Sequence, residues 1–166
     1  MNITLEGNTV TLRGKQIAVG DTAPDFKAVT RDMNDAHLSD YKGKIRIVTS
    51  FPSLDTSVCD LQVKEFNKQA ASLTDDVKII GISMDLPFAQ ARFCDSFSIT
   101  NVTLLSDYKY HSFAEQYGLL INELRLLART VIIIDKSDVV KYVQIVDEVT
   151  HAPDYTDALT QLKTLL

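Results

Sequence analysis

The sequence predicts a single α/β domain built on a mixed central sheet flanked by helices and preceded by an N-terminal β-hairpin. Three observations lead there. Short β-branched runs alternate with segments of helical period through the middle of the chain. Two strand-like segments joined by a tight polar turn follow them. The length, 166 residues, fits one domain spanning 1–166. Hydrophobic residues make up 45% and charged residues 23%, the balance of a folded globule rather than a disordered chain.

Taken in order, Ile3 and Leu5, then Val10 and Leu12, alternate with polar residues around Gly7-Asn8, which is a hairpin signal. Gly20-Asp21-Thr22-Ala23-Pro24-Asp25-Phe26 is a turn cluster that feeds a short strand near Phe26–Thr30, and Asp32–Asp35 and Asp40–Lys44 read as polar turns. Ile45–Phe51 is β-branched and reads as a central strand. After Pro52 the period changes: Cys59, Val63, Phe66, Ala70 and Leu73 form one stripe of a helix, with Asp55 and Thr56 as cap candidates. Val77–Ser83 is the next strand, Phe88–Ser96 a helix opening at Pro87, Val102–Leu105 a strand, and His111–Tyr117 a short helix stopped by Gly118. Arg129–Asp135 and Val139–Val146 are strands joined by Lys136-Ser137-Asp138, and Pro153–Leu166 closes the chain as a helix with Tyr155, Leu159, Leu162 and Leu166 on one face. Alternating strands and helices imply a partly parallel sheet, and the last hairpin adds an antiparallel edge, giving a sheet of the thioredoxin-like kind.

Composition excludes several classes. A net charge of −5 argues against a nucleic-acid or anionic-membrane partner. No apolar run exceeds the four residues Val131–Ile134, far short of the ~20 that span a bilayer. Met1–Glu6 has neither a basic nor an apolar leader region, so the expected compartment is the cytosol. There are two cysteines, Cys59 and Cys94, 35 positions apart, and a reducing compartment leaves a simple structural bridge open. His37, His111 and His151 are scattered and no CxxC, HxxxH or HExxH pattern occurs, so no metal site is expected. What remains is either two inert buried thiols or a pair that does redox chemistry.

Around Cys59 a strand delivers the chain to the Pro52 loop, and the loop ends in a helix whose first turn holds the cysteine. Free backbone N–H groups and the positive end of the helix dipole favour a thiolate there. Position alone favours an inert helix cysteine, since cysteine is more often a small buried hydrophobe. The spacing Pro52-x-x-x-Thr56-x-x-Cys59 resembles the active-site signature of the peroxiredoxins, and Pro52-Ser53-Leu54-Asp55-Thr56-Ser57-Val58-Cys59 is similar to the bacterial atypical two-cysteine, thiol peroxidase branch of that family. Gly20-Asp21-x-Ala23-Pro24-Asp25-Phe26, Asp85–Gln90, Leu124–Arg129 and Pro153-Asp154-Tyr155 match the same branch in order, so the resemblance spans nearly the whole chain.

The resemblance implies a peroxidase acting on hydrogen peroxide and alkyl hydroperoxides without metal, haem or flavin, and a role in antioxidant defence. It implies that Cys59 attacks the peroxide and becomes a sulfenic acid, and that Cys94 resolves it as a Cys59–Cys94 disulfide. Thr56 is then a hydroxyl that meets the peroxide or the sulfur, Pro52 shapes and shields the loop, and Arg129 lies beside the thiolate. Without it, Arg129 reads as a charge at a strand end, with Arg125 and Arg92 as competitors, and Cys94 as a packed helix residue. Thioredoxin is the implied reductant and a homodimer the implied assembly. A redox relay that passes its disulfide to a partner, and a thioredoxin-fold binding module with incidental thiols, are the other function classes considered.

Overall fold

A computed structural model describes residues 1–166. Its main sheet has seven strands, defined in chain order as β3 (Lys27–Thr30), β4 (Asp35–His37), β5 (Ile45–Ser50), β6 (Val77–Ser83), β7 (Thr103–Ser106), β10 (Thr130–Ile134) and β11 (Val140–Ile145). They lie side by side as β11-β10-β5-β6-β7-β3-β4. The strands β5, β6 and β7 run parallel, because each crossover between them is helical, through α1 (Ser57–Ala70) and α2 (Pro87–Phe97). β10 and β11 run antiparallel on one side, and β3 and β4 on the other. This is the mixed thioredoxin-like sheet expected from the alternation.

The predicted last hairpin does extend the sheet. Its first strand is internal: β10 pairs with β5, with Thr130 opposite Ser50, and only β11 is the edge. All six residues of β5 and all five of β10 are buried, so neither alternates: β10 is an unbroken β-branched run, and β5 is interrupted only by Arg46, which pairs with Asp138 at 2.6 Å, and by Ser50.

Period-two side-chain alternation splits the core into two layers. Val48, Ile80, Ile82, Leu105, Ile132 and Ile134 face a cluster completed by α3 (Ser112–Tyr117) and the N-terminal hairpin. Ile45, Ile47, Ile79, Leu104, Val131 and Ile133 face the opposite cluster, completed by α1, α2 and α4 (Tyr155–Lys163). Both cysteines belong to this second layer.

The N-terminal hairpin pairs β1 (Asn2–Leu5) with β2 (Asn8–Thr11) as a separate two-stranded sheet. Its two-residue turn is Glu6-Gly7 rather than Gly7-Asn8; both have positive φ, 50° and 80°, the geometry whose twist matches a hairpin. The sequence reading passes over β4, which begins at Asp35, and the two-residue pair β8 (Leu120–Ile121) and β9 (Leu126–Leu127). Strands this short leave too few alternating residues to register as a pattern. The final helix is shorter than expected, ending at Lys163, and Leu166 is 59% exposed rather than on its apolar face.

Candidate active site

The site begins where β5 ends. Ser50 and Phe51 pass the chain to buried Pro52, and the loop turns into α1 at Thr56, whose extended backbone makes it the N-cap. The Thr56 hydroxyl accepts from the Cys59 N–H at 3.4 Å and donates to the Ser53 carbonyl at 3.1 Å. Thr56 therefore fixes the first helical turn, and its side chain is engaged with backbone. Of the two cap candidates, Thr56 is the cap and Asp55 is exposed in the loop.

Cys59 is fully buried, and Arg129 reaches it from the start of β10, the strand next to β5. The β10–β5 register explains this encounter. Because Thr130 lies opposite Ser50, Arg129 falls just beyond the end of β5, where the Pro52 loop starts. Ser50 Oγ donates to the Ala128 carbonyl at 2.7 Å and lies 2.6 Å from Thr130 Oγ1, so the backbone on both sides of Arg129 is pinned to β5.

The guanidinium is 2% exposed, and its donors are divided among three acceptors. Nη1 donates to Cys59 Sγ at 3.1 Å and to Gln62 Oε1 at 2.9 Å. Nε and Nη2 both donate to the Val149 carbonyl, at 3.0 and 2.8 Å. A positive charge held in this way, in a water-poor layer, faces the sulfur with a fixed orientation. The alternative arginines, Arg92 and Arg125, are both exposed.

Sequence reasoning missed Gln62, which is 0% exposed. Its Nε2 donates to Thr49 Oγ1 at 2.6 Å and to the Ser50 carbonyl at 3.2 Å, leaving Oε1 for Arg129. The available signal was a polar residue within the buried stripe of an amphipathic helix, where burial demands a partner. Asp85, noticed only as part of a matching string, ties the loop down. It accepts from Ser53 Oγ at 2.8 Å, the Leu54 N–H at 2.9 Å and Ser83 Oγ at 2.6 Å, linking the Cys59 loop to the approach to α2.

Cys94 sits in the last turn of α2 and is 4% exposed. Its carbonyl accepts from the Ser98 and Ile99 N–H groups, and Ser98 closes the helix in the left-handed region. Burial pushes its thiol up, partly opposed by Arg31, with which it lines a cavity of about 340 Å³. Both cysteines are free thiols. Tyr155, packed edge-on against Phe66 at 5.5 Å, has a buried hydroxyl with no partner, and desolvation raises its phenol to about 12. No three His, Cys, Asp or Glu side chains converge as a metal-binding group, and no helix is long and apolar enough to cross a membrane.

A thioredoxin-like fold that places a helix N-terminal cysteine beneath an arginine from a distant strand defines a thiol redox protein. The redoxin family profile matches residues 18–162, and the chain belongs to that family. It is 46% identical over 164 residues to the thiol peroxidase of Bacillus subtilis, covering 99% of this chain and 98% of the relative. It is 45% identical over 161 residues to that of Oceanobacillus iheyensis, covering 97% and 98%. The crystal structure of a peroxiredoxin-like protein from Aquifex aeolicus superposes with a TM-score of 0.93 at 42% identity, covering 99% of this chain and 97% of that one.

Proposed function

We propose that this chain is a thiol-dependent peroxidase, a single domain that reduces hydroperoxides with Cys59 and is recycled by a dithiol protein. The observation that carries the reading is the 3.1 Å contact between the triply anchored Arg129 and Cys59 Sγ, at the first turn of α1. The full-length similarity to thiol peroxidases supports it.

In the first step the Cys59 thiolate attacks the terminal peroxide oxygen. The S–O bond forms as the O–O bond breaks, and the alkoxide or hydroxide leaves and takes a proton as alcohol or water. Arg129 supplies the positive charge facing the oxygen on which negative charge develops. Pro52 walls the sulfur from the loop side, and the Thr56 cap aligns the helix turn from which Cys59 reacts. In the second step the Cys94 thiol displaces the sulfenic oxygen, forming the Cys59–Cys94 disulfide and water.

Cys59 and Cys94 are free thiols on separate helices, and disulfide geometry needs Cα atoms within ~7 Å, so this reading includes partial unwinding of α1 or α2 as the bond closes. The last turn of α2 is suited to this, because it already ends at Ser98 with φ 54°. A disulfide closed at the cost of helix is easily reduced, and thioredoxin, which carries a dithiol, is the reductant this chemistry fits. The reading extends to the cytosol as compartment. It also extends to a homodimer formed near the active-site loop, where Leu61, Leu86, Phe88 and Phe97 expose apolar surface.

Intact mass after one equivalent of hydrogen peroxide tests the reading. The expected results are loss of two hydrogens in the wild type, a trapped sulfenic acid or its higher oxides in Cys94→Ser, and no rapid change in Cys59→Ser. Rapid oxidation of Cys94 in the Cys59→Ser protein would reverse the roles.

A further inference from the structure

Two donors of Arg129 end on one atom, the Val149 carbonyl oxygen, so whatever holds Val149 holds the guanidinium. Val149 lies in the loop between β11 and α4, and that loop is stitched to β1 of the N-terminal hairpin. The Thr4 N–H donates to the Asp147 carbonyl at 2.7 Å, and the Val149 N–H donates to the Thr4 carbonyl at 2.8 Å.

Between those two bonds sits Glu148. One of its carboxylate oxygens accepts from Thr4 Oγ1 at 2.6 Å and the Gly7 N–H at 3.2 Å. The other accepts from the Glu6 N–H at 2.9 Å, the Thr150 N–H at 3.2 Å and Thr150 Oγ1 at 2.9 Å. The Thr4 hydroxyl above all, with the backbone donors, holds the Glu148 carboxyl well below the usual carboxylate range. The Glu6-Gly7 turn, with both residues at positive φ, presents its two N–H groups to this one side chain. Residues 2–11 of the hairpin lie outside the 18–162 stretch matched by the family profile, and its buried Ile3 and Val10 belong to the core layer opposite the one that holds Cys59.

We infer that the hairpin is a brace for the active site, and that Glu148 is a positioning residue acting on Cys59 chemistry through Val149 and Arg129. The inference rests on the peroxidase reading of Arg129 and Cys59. Its physical basis is the absence of slack. Arg129 is buried and its Nε and Nη2 have no other acceptor, so a shift of the Val149 carbonyl shifts the guanidinium relative to the sulfur. Misplacement by ~1 Å at a reacting centre costs up to about a hundredfold in rate.

The test is a double-mutant cycle on the full chain, reading the second-order rate of Cys59 oxidation by hydrogen peroxide and, separately, the rate of disulfide closure. Glu148→Gln should slow oxidation roughly tenfold and leave disulfide closure at its wild-type rate. In the Arg129→Met background the same change should add nothing, because the element it acts through is gone. Thr4→Val should slow oxidation in the same direction, and Thr4→Ser, which keeps the hydroxyl, should restore it even if Glu148→Gln folds poorly. Wild-type oxidation in both Glu148→Gln and Thr4→Val, or an undiminished Glu148→Gln effect on top of Arg129→Met, would overturn the brace alone. Wild-type oxidation in Arg129→Met would overturn the peroxidase site beneath it.

Discussion

Replacing Gln62 by leucine isolates the least visible part of the site. Leucine has nearly the same volume and keeps the helix, so the change removes polar contacts without opening a large cavity. Two donor contacts are lost, to Thr49 Oγ1 and the Ser50 carbonyl, together with the acceptor for Arg129 Nη1. Thr49 Oγ1 still donates to the Thr130 carbonyl at 2.9 Å, so its hydroxyl is not orphaned. Arg129 Nη1 is left with the sulfur as its one remaining acceptor, while Nε and Nη2 keep the Val149 carbonyl.

At about 0.5–1.5 kcal/mol per bond, with a further penalty for the buried charged donor and an offset from the added apolar surface, stability falls by about 2–4 kcal/mol. For a chain of this size that lowers the melting temperature by roughly 5–15 °C. Cys59 oxidation slows by about tenfold, because Arg129 loses one of the contacts that aim it. The chain has no tryptophan, so the assay is quenched-flow mass spectrometry beside a thermal melt followed by circular dichroism. A folded Gln62→Leu protein that oxidises at the wild-type rate would refute the argument that Gln62 holds Arg129 on the sulfur.

Two further predictions concern the fold that carries the site. Asp107, directly after β7, is fully buried and its carboxylate accepts from the Phe113 and Ala114 N–H groups in the first turn of α3, and desolvation pushes its carboxyl up to about 6. A raised folded-state value means the folded chain holds the proton more tightly than the unfolded one. The stabilisation is full below about pH 4 and is lost as pH rises to 6, by about 3 kcal/mol. The wild-type urea midpoint minus that of Asp107→Asn should fall between about pH 4 and 6.5, the subtraction removing the opposite slope from carboxyls held low in the fold such as Glu148; a difference independent of pH would discard the assignment. Gly118 ends α3 at φ +68°, and a Cβ there would collide with the Lys15 carbonyl group. Gly118→Ala should therefore cost more than about 2 kcal/mol, seen as a lowered denaturation midpoint, and a neutral result would show that the Lys15 segment yields freely.

Much of this molecule is legible from local signals. The β-branched runs mark β5 and β10, the stripe through Cys59, Val63 and Phe66 marks α1, and Thr56 marks its cap, because each depends on residues within a few positions of one another. The string Pro52–Cys59 is legible for the same reason, since the loop and the first helical turn are contiguous in the chain.

Tertiary structure decided what surrounds the sulfur. Arg129 stands 70 positions from Cys59, and the pairing of Thr130 with Ser50 brings them together, a register set by which faces of β5 and β10 are buried. Arg125, four residues earlier, lies instead in the turn between β8 and β9 with φ 58° and stays in solvent. Val149 acts through a backbone carbonyl, a group every residue possesses, so no side chain announces it. Glu148 reads in the sequence as one more surface acid, and its five donors come from the opposite end of the chain and from the adjacent Thr150. A cysteine in the first turn of α1 behind a capped proline loop is thus a short-range property of the chain, and how firmly the Arg129 charge is aimed at it is a long-range one, fixed by how strands and loops distant in sequence pack together.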